Sequence, residues 1–230
     1  VHIDMLAVFL LFILIKLNFK YLSIFISFFT KILSLLILPF YLIKDFYYKK
    51  NHFIFGMSTL LSILIITYLY PTNLKFFSGA EAFIKFWFWN SLIGKPLSLI
   101  GFPKEELRVA LGLMFTISYA LLLWKQIRNR AKDTNLIIST VFMFLFLFSP
   151  VLHPWYLIWP LAFTPHNKYY NMFIFTSALA YSPYGNISLE GYAQILQGIF
   201  LVCAIKENYR LTNLSSRSND KHQSTSSTEI

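Results

Sequence analysis

Charge is scarce in this chain: 10 Asp and Glu and 20 Lys and Arg among 230 residues, so only 13% are charged. Soluble globular domains carry about 25% charged residues, so an ordinary water-exposed surface is excluded. Cysteine is nearly absent, and the single Cys203 excludes an internal disulfide framework and a cysteine-based zinc site, each of which needs at least two thiols. No convincing internal repeat is present. Residues 1–16 also lack the basic start and small-residue cleavage site of a signal peptide, carrying His2 and Asp4 instead, so the first apolar run reads as an ordinary span.

What the chain does have is apolar length: 57% of it is apolar and 19% aromatic, in unbroken runs from end to end. The expected fold is an all-α, polytopic transmembrane helix bundle of about seven to nine membrane segments, some of them short or re-entrant. Candidate spans lie near 3–16, 53–70, 108–124, 135–149 and 189–205, with shorter pieces near 20–30, 32–43, 155–165 and 170–182. The net charge of +10 does not mark a nucleic-acid surface, because the basic residues sit in short clusters between apolar runs. Lys16 and Lys20, then Lys44, Lys49 and Lys50, then Lys125, Arg128, Arg130 and Lys132 define cytoplasmic loops. With nine alternating crossings the tail from Lys206, with Arg210, Arg217 and Lys221, is cytoplasmic too, and Lys31 sits at the far end of a hairpin made by residues 20–43.

Domain organisation follows: a transmembrane domain over 1–205, within which 71–107 forms an extracytoplasmic segment, and a polar, disordered cytoplasmic tail over 206–230. Phe83, Phe86, Trp87 and Asn90 recur at spacings of three and four, the pattern of a helix lying in the interface. The expected location is an integral, multi-pass place in a bacterial inner or plasma membrane, in contact with membrane lipids.

Ionisable groups inside spans are costly, and each marks a functional position by default. Four qualify: His2, Asp4, Lys31 and His153. Asp4 suits the cap of a helix N-terminus, Lys31 either snorkels or receives an anionic group such as a phosphate, and His153 sits in the most informative stretch of the chain. That stretch, Ser149-Pro150-Val151-Leu152-His153-Pro154-Trp155-Tyr156-Leu157-Ile158-Trp159-Pro160, places three prolines where a helix would otherwise continue. Broken backbone at membrane depth is tolerated where it lines a cavity, so a histidine there faces a polar pocket.

These residues resemble the GT-C superfamily of polytopic glycosyltransferases, in particular the bacterial polyprenol-phosphate-mannose-dependent mannosyltransferases. Val1-His2-Ile3-Asp4-Met5-Leu6-Ala7 is similar to that group's Gly-His-x-Asp-Ala-Leu-Ala, and Thr30-Lys31 through Pro39 is similar to its Thr-Lys-x-x-Pro-Leu-Leu-Leu-x-Pro, with Ser34 where a proline is common. Trp87-Phe88-Trp89-Asn90-Ser91-Leu92 resembles a Trp-Glu-Phe-Asn-x-Ser-Leu segment, with Phe88 in place of the acidic residue. Ser149 through Trp159 matches Ser-Pro-x-x-His-Pro-Trp-Tyr-Leu-x-Trp almost throughout.

The resemblance implies inverting sugar transfer, with no required metal or cofactor, on the extracytoplasmic face from a polyprenyl-phosphate sugar donor to a lipid or glycan acceptor. It assigns His153 and Asp4 to catalysis, and His2, Lys31, Asn90, Trp155 and Tyr156 to substrate binding. The family's general base lies upstream of the His-x-Asp helix, so the chain is expected to be an N-terminally truncated portion, inactive if that is all there is. The alternative is a non-enzymatic transporter or flippase-like subunit whose intramembrane Lys and His line a substrate path.

Overall fold

The computed structural model describes residues 9, 19–30, 32–48, 50–69, 91–129, 133–150, 154–164, 166–181 and 187–226. Among them the chain is all-helical, with no strand. Helix α1 (Lys20–Thr30), a 3-10 turn η1 (Ile32–Leu36) and α2 (Leu38–Tyr48) form a short hairpin, followed by α3 (Lys50–Leu69). Then come α4 (Gly94–Leu99), α5 (Lys104–Arg128) and α6 (Thr134–Phe148). A second 3-10 turn, η2 (Pro154–Leu157), runs into the single turn α7 (Ile158–Leu161), and α8 (Lys168–Tyr181) and α9 (Ile187–Ser226) complete the order.

Local chemistry sets several of these boundaries. Gly101, at φ 99°, closes α4: the amides of Gly101 and Phe102 donate back to the carbonyls of Ser98 and Leu97, the bond pattern of a glycine-terminated helix. Pro103 follows and precedes α5, whose first turn holds Glu105 and Glu106 and whose last turn holds Lys125 and Arg128. That charge order complements the helix dipole at both ends. Pro39 reads in the sequence as a break in an apolar run, yet it stands in the first turn of α2, where its missing N–H costs nothing.

Two helices, α3 over Asn51–Tyr68 and α5 over Lys104–Arg128, are long and apolar enough to cross a membrane. Their lengths are about 30 Å and 37 Å at 1.5 Å per residue, which matches the hydrocarbon thickness. Val109, Leu113, Ile117, Leu121 and Trp124 form an exposed stripe down one side of α5, while Leu107, Leu111 and Leu122 on the other side are buried. A helix apolar on both faces, with one face uncovered, has lipid as its natural neighbour. The Ser and Thr hydroxyls on α3 obey the same constraint: Ser58, Thr59, Ser62 and Thr67 each donate to the carbonyl four residues back.

Helix α6 is the centre of the packing. Its Ile137, Ile138, Val141, Phe142, Met143 and Phe146 are buried against neighbours that include Trp159, Tyr170, Phe173 and Leu201. Helix α5 packs on one side of it and α9 on the other, with α8 laid along α9. Helix α3 meets the rest through the α1–α2 hairpin, at Gly56. A Cβ there would stand 2.5 Å from the Tyr21 ring and 2.6 Å from a Leu42 methyl, so glycine is what lets the helices approach.

The expected spans near 53–70, 108–124, 135–149 and 170–182 correspond to α3, α5, α6 and α8. The span expected at 3–16, residue 9 apart, and residues 71–90, with the aromatic helix expected around Phe83–Asn90, lie outside the described residues, whereas 91–107 holds α4 and the start of α5. The composition shift at 206 does not coincide with a helix end: α9 continues to Ser226, and Asn208 and Thr212 are buried within it.

Candidate functional site

Most of the described basic residues gather at one end of the bundle, while Lys95, Lys104 and Arg108 lie toward the other. Phe40 and Tyr41 of α2 are tied to Gln126 near the end of α5 and to Asn135 at the start of α6, so the Asp45 end of the hairpin lies at the turn between α5 and α6. Lys20 donates to Asp45 at 2.7 Å and stands over the rings of Tyr21 and Tyr41, while the Tyr21 hydroxyl donates to the second Asp45 oxygen at 2.7 Å. The Asp45 side chain is 1% exposed and its Lys20 partner 15%. Lys125 lies 3.9 Å from the centre of the Tyr209 ring, fastening α5 to α9.

Between α6, α8 and α9 the same end holds a polar knot. Asn167 donates to the Asn208 side chain and to the Ala204 carbonyl, Asn208 donates to Thr140, and Ser139 pairs with Thr164. Beyond it, Arg210 forks onto Glu207 at 2.9 and 2.7 Å, and this hydrogen bonding holds the Glu207 carboxyl below the usual carboxylate range.

The opposite end is built differently. Helix α6 stops at Phe148, where Ser149 turns extended and Pro150 follows. The Ser149 carbonyl accepts the Ser91 hydroxyl at 2.8 Å, and the Ser91 oxygen in turn accepts the Gly94 amide at 3.0 Å at the head of α4. Downstream, the fully buried Tyr170 donates to the Leu157 carbonyl at 2.6 Å, fixing the end of η2. Trp159 is entirely buried and tilts against Phe142, its rings 5.3 Å apart, so it belongs to the core. Thus two segments far apart in sequence, one beginning at Ser91 and one leaving α6 at Ser149, are joined at this end.

Of the residues singled out from sequence, His2, Asp4, Lys31, Asn90 and His153 lie outside the described residues, as does the side chain of Trp155. The backbone of Trp155 is part of η2. Tyr156 is half-buried and packs against the core cluster. The described neighbours of the others do not fall together: Ser91 and Ser149 lie at one end, whereas η1, which follows Lys31, sits partway along α5 through the Tyr119 hydroxyl and the Leu36 carbonyl. No group of three or more His, Cys, Asp or Glu able to hold a metal ion occurs among the described residues.

Sequence reasoning passed over Asp45, Asn167 and Asn208. Asp45 was visible as a carboxylate beside Lys44 at the end of an apolar run, where it read as part of a charged loop.

Residues 106–203 match the MptB C-terminal domain. The match runs from the start of α5 into α9 and encloses the whole of Ser149–Trp159. It points to the MptB mannosyltransferase family, of GT-C type, and suggests a mannosyltransferase-like membrane glycosyltransferase. No curated protein and no solved structure matches the chain.

Proposed function

We propose that the chain is an integral-membrane, GT-C-type hexosyltransferase that moves a sugar from a polyprenyl-phosphate donor to a lipid or glycan acceptor at the extracytoplasmic face. The observation that carries this reading is the match to the MptB C-terminal domain, which encloses the proline-broken Ser149–Trp159 stretch. The hydrogen bond from Ser91 to the Ser149 carbonyl supports it, since it joins the neighbour of Asn90 to the first residue of that stretch. The basic end then faces the cytoplasm, in keeping with the excess of Lys and Arg there, and the Ser149 end faces out.

In this scheme the chemistry is division of charge. As the sugar–phosphate bond breaks, the leaving polyprenyl phosphate gains negative charge, which His153 and Lys31 stabilise as donors. His2 and Asp4 orient sugar or acceptor hydroxyls, Asn90 adds a hydrogen bond, and Trp155 and Tyr156 wall the sugar. Removing a proton from the acceptor hydroxyl calls for a carboxylate, which the resemblance places upstream of the His-x-Asp helix, Asp4 being a weak candidate for it.

The test is transfer of label from a polyprenyl-phosphate mannose to lipid acceptors in membranes expressing the gene's full product. Transfer that disappears in His153→Ala supports the scheme. Transfer that persists removes His153 from it, and absence of transfer with mannosyl, glucosyl and arabinosyl donors alike favours a non-enzymatic membrane protein.

A further inference from the structure

We propose that Lys20–Tyr48 is a re-entrant hairpin, entering and leaving the membrane at the basic end and turning back about halfway through. Its two helices have 11 residues each. At 1.5 Å per residue that limits the rise to about 16 Å, half of the roughly 30 Å hydrocarbon layer. The mouth of the hairpin is closed by the Lys20–Asp45 ion pair and by Tyr21 on the same carboxylate.

The seating against α5 gives an independent measure of depth. Tyr119, which donates to the Leu36 carbonyl at 3.0 Å, is nine residues short of Arg128 and fifteen past Lys104. The contact therefore lies about 14 Å along α5 from its basic end and about 22 Å from the other. Two helical turns further along α5, Gln126 reaches the Phe40 carbonyl at 3.4 Å, and the Tyr41 hydroxyl meets Asn135.

Breaking a helix inside lipid exposes carbonyls that must find new donors. Here a side chain supplies one: Tyr119 donates to the Leu36 carbonyl at the end of η1, while Ser34 and Gln126 add second donors to the Ile24 and Phe40 carbonyls within the two helices. Ile37, Leu38 and Phe40 are buried around these bonds, so the irregular backbone is wrapped in protein. This accounts for the polar Tyr119 and Gln126 on the inward side of an otherwise apolar span.

The inference rests on the membrane reading and not on sugar transfer. Its test is single-cysteine labelling in a Cys203→Ser background, in sealed vesicles of one orientation. Phe46→Cys should react with an impermeant maleimide from one face and Ile100→Cys from the other. Leu35→Cys should react with neither face's impermeant reagent and be labelled only after the protein is unfolded in detergent, and a nitroxide on it should report a depth near the middle of the hydrocarbon by oxygen against nickel-chelate collisions. Tyr119→Phe should raise labelling of Leu35→Cys from the Phe46 face severalfold.

Labelling of Leu35→Cys from the Ile100 face, or a nitroxide depth at either surface, overturns the hairpin while leaving the membrane reading intact. Labelling of Phe46→Cys and Ile100→Cys from one face overturns both.

Discussion

The two ends of the bundle are held by different chemistry. At the basic end most ties join side chain to side chain, Lys20 and Tyr21 to Asp45, Asn167 to Asn208, Asn208 to Thr140 and Lys125 over Tyr209, beside carbonyl bonds from Asn167 and Gln126. At the Ser149 end the bond runs from side chain to backbone, from Ser91 to the Ser149 carbonyl, and further into the bundle Tyr170 holds the Leu157 carbonyl in the same way. A network of side chains fixes helices against one another, whereas a donor on a carbonyl fixes where a broken helix goes next. One end is therefore organised to stay together, and the other to present an irregular segment in a defined place. Loss of a contact should accordingly cost stability at the first end and function at the second.

The largest effect is expected at Asp45. Removing one partner of a buried ion pair leaves an uncompensated charge and costs about 3–5 kcal/mol, so Asp45→Ala should markedly lower the unfolding temperature of the detergent-solubilised protein. Replacing both partners, Lys20→Met with Asp45→Leu, removes the stranded charge together with the pair and should recover most of the loss. A double variant as unstable as the single one would show that the pair itself, and not the stranded lysine, is what matters.

At the other end, His153→Ala should leave the unfolding temperature within a degree or two of the parent and lower the transfer rate. The expected loss is on the order of 100- to 1,000-fold, the range seen when one donor to a developing anion is removed. Equal losses of stability and rate would erase the contrast between the ends.

The helical part of this architecture was open to reading from the sequence because apolar length and charge punctuation are local. Lys50–Leu69, Lys104–Arg128 and Thr134–Phe148 all start and stop within about four residues of where apolar runs and charges place them. The joints were not open in the same way. Pro39 carries the same letter whether it ends a helix or begins one, and what decides is the 3-10 turn in front of it. Asp45 looked like loop charge because its partners, Lys20 and Tyr21, are 25 and 24 residues away. The Ser91 to Ser149 bond spans 58 residues and ends on a backbone carbonyl, which every residue has, so no pattern of residue types announces it. The stretch Ser149–Pro160 stood out for a further reason: three prolines in an apolar run change backbone chemistry, and that shows in composition alone.

A smaller effect is expected where α3 leans on the hairpin. Gly56→Val puts carbon where the Tyr21 ring already stands, and Tyr21 is pinned through its hydroxyl to Asp45. Overpacking of this kind costs about 1–3 kcal/mol. Helix α3 should loosen from the hairpin before the core around α6 responds, which hydrogen exchange would register as faster opening of residues 50–69 with α6 and α8 unchanged. Uniform acceleration would mean that the hairpin is as central to the basic end as α6 is to the whole.

The smallest change in stability, and the finest test of the contrast, is Ser91→Ala. Its hydroxyl donates to the Ser149 carbonyl and accepts the Gly94 amide, and a neutral bond of this type contributes about 1 kcal/mol net. The carbonyl left behind belongs to a residue already out of the helical ladder, so α6 itself should not melt. What is lost is the tie between the segment that follows Asn90 and the segment that leads to His153. If that tie orients the two, Ser91→Ala should reduce transfer about tenfold, equivalent to roughly 1.4 kcal/mol in the barrier, with little change in unfolding temperature. Ser91→Thr, which keeps the hydroxyl, should restore the rate. A rate that falls only as far as stability does, and that threonine does not rescue, would make Ser91 an ordinary packing contact.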